Sequence, residues 1–280
     1  MRPRRRAEVL RHVLLIVAAA VLALPIYLAF VAASKPATAL LQGVPLAPGG
    51  QLGHNLSQVL VHGLPDSPTV LSMMGNSAVM ALAVALGKLL LSVPAAYAVV
   101  FFRFRGRMAA FWLIFATLML PIEVRFFPTY QVTVQLGLLN NLGGLVVPLI
   151  ASATAVFLFR QYFMTFPVAL ADAARLDGIG PVRFLTRIVL PLSKPNLAAV
   201  FVLEFIYGWN QYLWPLLVTS SAHNATVVMG IREMIASAQS FAVPQWDLVM
   251  TVALLALVPP VVVVLVMQRW FVKGLTAGIS

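Results

Sequence analysis

Apolar residues run along this chain in long unbroken stretches, not in the short alternating blocks of a soluble domain. Six stretches reach the roughly 20 residues that a helix needs to cross a bilayer. They lie near 11–34, 76–102, 108–128, 142–163, 196–218 and 248–271. The third carries Pro121 and the sixth carries Pro259 and Pro260, so kinks are expected there. A bundle tolerates them because neighbouring helices satisfy the freed carbonyls. Polar segments separate the stretches. The first, 35–75, is rich in Pro and Gly (Pro45, Pro48, Gly49, Gly50, Gly53) and reads as an irregular cap. The last, 219–247, contains a candidate amphipathic helix over 227–238.

Composition strengthens this picture. Of the 280 residues 61% are hydrophobic and 10% are charged, with a mean hydropathy of +0.95. Soluble domains are about 45–50% apolar and about 25% charged, so a soluble fold would lack the polar surface to stay dispersed. The expected fold is all-α, a single polytopic membrane domain over 1–280 with six spans in a lipid bilayer. Arg2, Arg4, Arg5 and Arg6 followed by an apolar run resemble a signal peptide, with Ala32, Ala33 and Ser34 as a cleavage site. The run from Val13 to Ala33 is longer than the usual apolar core of about 7–15 residues, which favours a retained helix.

The formal charge is +11, which in a soluble protein points to nucleic acid. Here the positions assign it to membrane topology instead, and no nucleic-acid partner is expected. With the N-terminus inside, fifteen of the nineteen basic residues fall on inner segments. These are Arg2 to Arg11, then Arg103, Arg105 and Arg107, then Arg160 to Lys194, then Arg269 and Lys273. Lys35, Arg125 and Arg232 fall outside, and Lys88 lies within a span. Both termini are therefore expected in the cytoplasm, in a multi-pass membrane protein.

Enzyme chemistry finds little support. There is no Cys, and His12, His54, His62 and His223 form neither an HExxH pattern nor a close pair, so no metal site is expected. Neither a GxxxxGK[ST] phosphate loop nor a GxSxG elbow occurs. The tripeptides at Asn55 and Asn224 match a glycosylation pattern that often arises by chance.

The longest inner segment is a hairpin over 166–195. Pro167 suits the first turn of a helix. Ala169, Ala173 and Leu176 then recur at i, i+4 and i+7 as a narrow apolar stripe. Gly178 can stop that helix in a left-handed conformation. Pro181 starts a second short helix, which Pro191 ends. Two short helices thus meet at a glycine elbow, and the small Ala173 and Ala174 leave room for close approach by another protein. A solvated connector is the plainer reading of the spacing alone.

Asp172, Ala173 and Ala174, Gly178 after three residues, Ile188 after nine more, then Leu190 and Pro191 resemble the EAA loop of ABC-importer permeases. Asp172 stands where Glu is usual, which keeps the charge on a shorter stem. The tail from Gln268 to Gly278 is similar to that of maltose-type carbohydrate permeases. Segments 122–132, 153–167, 205–217 and 259–269 resemble the sn-glycerol-3-phosphate branch of that family, as its E-type permease subunits. The resemblance implies a type I ABC-importer permease fold and an ATPase-coupling role for Asp172, Ala173, Ala174, Asp177, Gly178, Ile188, Leu190 and Pro191. It implies four partners: a homologous second permease, a homodimer of ATPase subunits, an extracytoplasmic substrate-binding protein and the bilayer. ATP and Mg would be held by the partner ATPase, leaving this chain no cofactor and no catalytic residue. The cargo would be sn-glycerol 3-phosphate, with glycerophosphodiesters as further candidates. A neutral sugar stays open as an alternative cargo, and a stand-alone secondary transporter stays open as an alternative function.

Ionisable groups within spans cost roughly 2.5–3.5 kcal/mol at the bilayer centre, so each requires a partner or a task. Lys88 and Glu204 would pair with each other or with backbone carbonyls, or Lys88 would meet a substrate phosphate. Glu123 and Arg125 follow Pro121 at the outer end of the third span. Arg125 is a candidate to offer its planar donor fork to a phosphate; an interfacial anchor is the alternative. Trp209, Asn210, Gln211, Tyr212 and Trp214 complete the substrate-path candidates, against a bland role as interface aromatics and interhelical bonding groups.

Overall fold

The computed structural model describes residues 2–43, 46–62, 69–120, 122–238 and 243–276, and every regular element among them is helical. In chain order, α1 (Arg2–Ala33) and α2 (Leu52–Ser57) precede the long α3 (Val70–Phe101). Next come α4 (Arg107–Met119), α5 (Ile122–Gln135), α6 (Leu142–Val146) and α7 (Ala153–Phe163). The hairpin contributes α8 (Val168–Leu176), α9 (Pro181–Phe184) and α10 (Leu190–Leu192). Then follow α11 (Lys194–Trp209), α12 (Leu213–Val218), α13 (Val227–Ala238) and α14 (Trp246–Thr276).

Among the described residues every expected span is helical, and three are single long apolar helices: Glu8–Ala33, Val70–Phe101 and Trp246–Trp270. The others are broken, each for a local reason. The third breaks between α4 and α5 at Leu120, whose ψ of 120° is the extended geometry that a following proline enforces. The fourth bends by 45° between Leu142–Leu149 and Ala153–Phe163. There Ser152 starts a new helix by accepting the Ala155 N–H at 3.1 Å. The fifth stops at Trp209 and resumes at Leu213. Pro215 explains this: in a continuous helix its ring would meet the Gln211 carbonyl, whereas in a fresh first turn it displaces no bond. In the sixth, α14 runs through Pro259 and Pro260 as one uninterrupted helix.

The described residues form two compact units. One comprises the chain up to Ser72 together with Met229–Val258. Where an irregular cap was expected, its described residues after α1 hold a 3-10 turn over Ala37–Gln42 and then α2; Pro45 lies outside the described residues. The fully buried Asn55 donates to the Ala33 and Lys35 carbonyls at 2.9 and 3.3 Å, covering the otherwise orphaned end of α1. Gly49 packs so tightly on the Ser34 carbonyl that any Cβ would collide with it. Asn55→Ala is expected to lower stability by about 1–3 kcal/mol, the desolvation cost of unpaired buried carbonyls. A thermal melt of the purified protein checks this.

The second unit comprises Met73–Val228 and the chain from Pro259. One core cluster lies under the hairpin, where Phe159, Phe163, Ala174, Phe184 and Val189 pack with Val93 and Tyr97 of α3. Another gathers Met80, Val84, Leu145 and Trp214. Trp214 donates its indole N–H to the Gly144 carbonyl at 3.0 Å and stacks on Phe126 with ring centroids 6.3 Å apart. Helices α3 and α11 approach closely at Gly208, where a Cβ would stand 2.9 Å from the Ala81 Cα. Leu90 of α3 and Leu113 of α4, by contrast, are 74% and 71% exposed, apolar surface suited to lipid and not to water.

Candidate functional site

Two features of the second unit carry functional chemistry. The first is the hairpin. Helix α8 ends in a Schellman motif: the Ile179 N–H donates to the Ala174 carbonyl at 2.9 Å and the Gly178 N–H to the Arg175 carbonyl at 3.1 Å. Gly178 supplies the left-handed residue this requires, with φ +67°. After the elbow the chain coils through Pro181–Leu192, including a π-helical turn over Leu185–Val189, and meets α11 at 78°. Pro191 lies within that last turn, and the helix ends one residue later, at Leu192. The bend sits at Ser193, whose buried hydroxyl donates to the Val189 carbonyl at 2.6 Å. Two tyrosines fasten the hairpin to neighbouring helices. Tyr97 of α3 donates to the Pro181 carbonyl at 2.9 Å, and Tyr162 of α7 donates to the Leu192 carbonyl at 3.0 Å.

The loop motif divides into two faces. Ala174 is buried in this chain's own core, and Ile188 and Leu190 pack against the same core, so these three hold the hairpin together. Small size at Ala174 therefore serves internal packing. Ala173, Asp177 and Pro191 are exposed. Asp172 is exposed too and pairs with Arg175 one turn on, at 3.0 Å. The predicted stripe of Ala169, Ala173 and Leu176 points away from the core, and Leu176 is 89% exposed. A solvated connector has no need of a leucine on its outer face.

The second feature is a cavity of about 790 Å³ walled by α3, α4, α5, α7 and α11. Lys88, Arg125, Glu204, Gln211 and Trp214 line it. Lys88 and Glu204 are brought together: Nζ lies 2.7 Å from Oε2 in a buried salt bridge. Ser152 donates to Glu204 Oε1 at 2.9 Å, and the Lys88 ammonium sits 3.6 Å above the Tyr207 ring. Excellent geometry of this kind is what offsets the desolvation of two buried charges. Arg125 lies exposed in the first turn of α5, and no carboxylate among the described residues pairs with it. The Glu123 side chain lies outside the described residues.

The remaining aromatic candidates separate. Trp209 is buried and stacks on Phe205 at 6.0 Å, and with Asn210 and Tyr212 it is not part of the described cavity lining. Asn210 caps the end of α11. Gln211 faces the cavity and donates to the Tyr207 carbonyl at 3.2 Å. Among the lining residues outside the sequence candidates, Ser152 and Tyr207 contact the ion pair directly. Tyr207 was within reach of the pattern, since Glu204, Tyr207 and Gln211 recur at i, i+3 and i+7, the spacing of one helix face, although α11 ends before Gln211. Ser152 carried no such signal, because only the bend brings it to Glu204.

Comparison with known proteins places this geometry. The family model described as "Binding-protein-dependent transport system inner membrane component" matches residues 88–277. The sn-glycerol-3-phosphate transport system permease protein UgpE of Yersinia pestis is 53% identical over 274 residues, covering 97% of each chain. Its counterpart in Rhizobium meliloti (strain 1021) is 49% identical over 272 residues, covering 96% of each. A solved chain of a bacterial ABC transporter involved in the import of the acidic polysaccharide alginate superposes with a TM-score of 0.82. That match covers 97% of this chain and 98% of the other at 22% identity, and so speaks for the fold. With its whole length matched by such relatives, the chain belongs to the binding-protein-dependent transport system inner membrane component family, the permeases of ABC importers.

Proposed function

We propose that this chain is one of two permease subunits of an ATP-driven importer for sn-glycerol 3-phosphate. The observation that carries the reading is identity of about half the residues with UgpE proteins along the whole chain. The cavity supports an anionic cargo over a neutral sugar, because Arg125 brings to its wall a guanidinium that no described carboxylate neutralises. The outward stripe of the hairpin supports a docked partner over a stand-alone transporter.

In this reading both termini and the hairpin face the cytoplasm, and the second permease completes the translocation path. A separate pair of ATPase subunits binds ATP and Mg, and a binding protein delivers cargo from outside. ATP binding draws the ATPase pair together and moves the hairpin. The hairpin is continuous with α11 through the Ser193 bend and is bonded to α3 and α7 through Tyr97 and Tyr162. Its displacement therefore reaches three helices of the cavity wall. The result is a two-state bundle biased by differential affinity for ATP.

Arg125 is the residue assigned to the phosphate. Arg125→Ala is expected to lower uptake of labelled sn-glycerol 3-phosphate by the assembled importer at least about tenfold, the equivalent of one charge-assisted hydrogen bond. Arg125→Lys restores part of it, since the point charge survives without the fork. Uptake by Arg125→Ala with an unchanged rate and concentration dependence removes the residue from the cargo's path.

A further inference from the structure

Four groups on three helices form one closed network in the cavity wall. Lys88 of α3 gives its ammonium to one oxygen of Glu204 on α11, and Ser152 at the start of α7 gives its hydroxyl to the other. The Tyr207 ring covers the ammonium at 3.6 Å. Both charged side chains are almost fully enclosed, at 6% and 9% exposure. The network is therefore electrically neutral, and its charges are turned towards each other. Arg125 lines the same cavity.

We propose that Glu204 is a specificity-determining residue: by cancelling the charge of Lys88 it leaves Arg125 as the available cation among the described residues of the cavity, where there would otherwise be two. The inference rests on the phosphate-ester reading above and adds to it a physical reason for the pair. A transport site must hold its cargo firmly enough to receive it and weakly enough to release it. A phosphate monoester carries up to two negative charges near neutral pH. At an effective dielectric constant of about 20, two unit charges as far apart as about 10 Å still interact by enough to change binding about tenfold, so a second uncompensated cation in the same cavity would tighten it by that order. An uncompensated carboxylate at the same place would oppose binding to a similar degree. Glu204 acts on cargo through Lys88 and not by contact.

The test is equilibrium binding of labelled sn-glycerol 3-phosphate to the purified complex of both permeases and the ATPase pair in lipid nanodiscs. The binding protein is left out, so that affinity reports on the cavity. Glu204→Gln is expected to tighten Kd about tenfold and Lys88→Met to weaken it about tenfold. The double variant Lys88→Met, Glu204→Gln restores neutrality and returns Kd to within about threefold of the unaltered complex. A strap that serves only the fold moves both single variants in the same direction, and that result overturns the proposal. Where a single variant does not assemble, the double variant and the charge-swapped pair Lys88→Glu, Glu204→Lys decide the matter. Both keep the network neutral, so a Kd within about threefold in each supports the proposal. A tenfold change in either, or assembly by neither, overturns it. Failure of the cargo reading looks different: the unaltered complex then binds no sn-glycerol 3-phosphate, and both ideas fall together.

Discussion

Gly208→Leu is expected to abolish assembly of the importer, leaving no folded permease to assay. At this position α3 and α11 touch backbone to backbone: a Cβ on residue 208 would lie 2.9 Å from the Ala81 Cα and 3.4 Å from its carbonyl oxygen. Backbone atoms cannot swing aside as the end of a side chain can, so the helices must separate. The separation reaches further along the same interface, because Glu204 lies one turn before Gly208 and Lys88 two turns after Ala81. A shift of about 1 Å would break the 2.7 Å contact between them and leave two enclosed charges without partners. Overpacking costs about 1–3 kcal/mol, and a broken buried pair about 3–5 kcal/mol. Together these approach the entire stability of a typical domain, about 5–15 kcal/mol. Gly208→Ala, which asks the backbone for a few tenths of an ångström, is expected to assemble with a lowered melting temperature. Size-exclusion profiles and melts of the purified complex check the series. A Gly208→Leu complex that elutes and melts like the unaltered one would show that this contact is not tight.

Much of this interface was legible in the residue pattern, and its limits have physical causes. The helical segments coincide with the long apolar stretches, because lipid would impose one length requirement on every crossing. The amphipathic helix over 227–238 was read to the residue, since Val227 and Met234 turn inward while Arg232 and Glu233 turn out. Pro121 marked a real break. Pro215 marked another and was passed over, so the fifth span was taken as continuous. Pro259 and Pro260, expected to kink the sixth span, leave its helix unbroken.

The hairpin motif was recognisable from spacing, but spacing does not say which residues face a partner and which face the chain itself. Ala174, Ile188 and Leu190 proved to hold the hairpin's own core. Within the cavity, Lys88 and Glu204 stood out because charge is costly in a span. Their union was one of several options until α3 and α11 were brought together by Gly208. The role of Ser152 depends on a 45° bend and could not be read from local sequence at all.

Leu176→Asp is expected to reduce cargo uptake by about a hundredfold while leaving the permease folded. The expectation follows from an asymmetry within α8. Leu176 is 89% exposed and spends little of its apolar surface inside this chain. A charge placed there costs the isolated subunit almost nothing. If the stripe of Ala169, Ala173 and Leu176 seats in the ATPase subunit, the same charge is buried in an apolar contact. Losing one such anchor costs about 2 kcal/mol or more, and a buried unpaired carboxylate adds to it. The readouts are co-purification of the ATPase, stimulation of ATP hydrolysis by the cargo-loaded binding protein, and uptake; all three fall together. Gly178→Asp reaches the same end by another route. It forces a side chain into φ +67° and distorts the elbow that presents the stripe, although open space surrounds the position. Its melt is expected to shift slightly, by the roughly 1–2 kcal/mol of a left-handed non-glycine residue, while uptake is lost. Leu176→Asp separates docking from folding more cleanly, because the elbow is untouched. Should that variant import cargo and hold its ATPase as the unaltered chain does, the stripe is only a solvated face and the coupling must pass elsewhere.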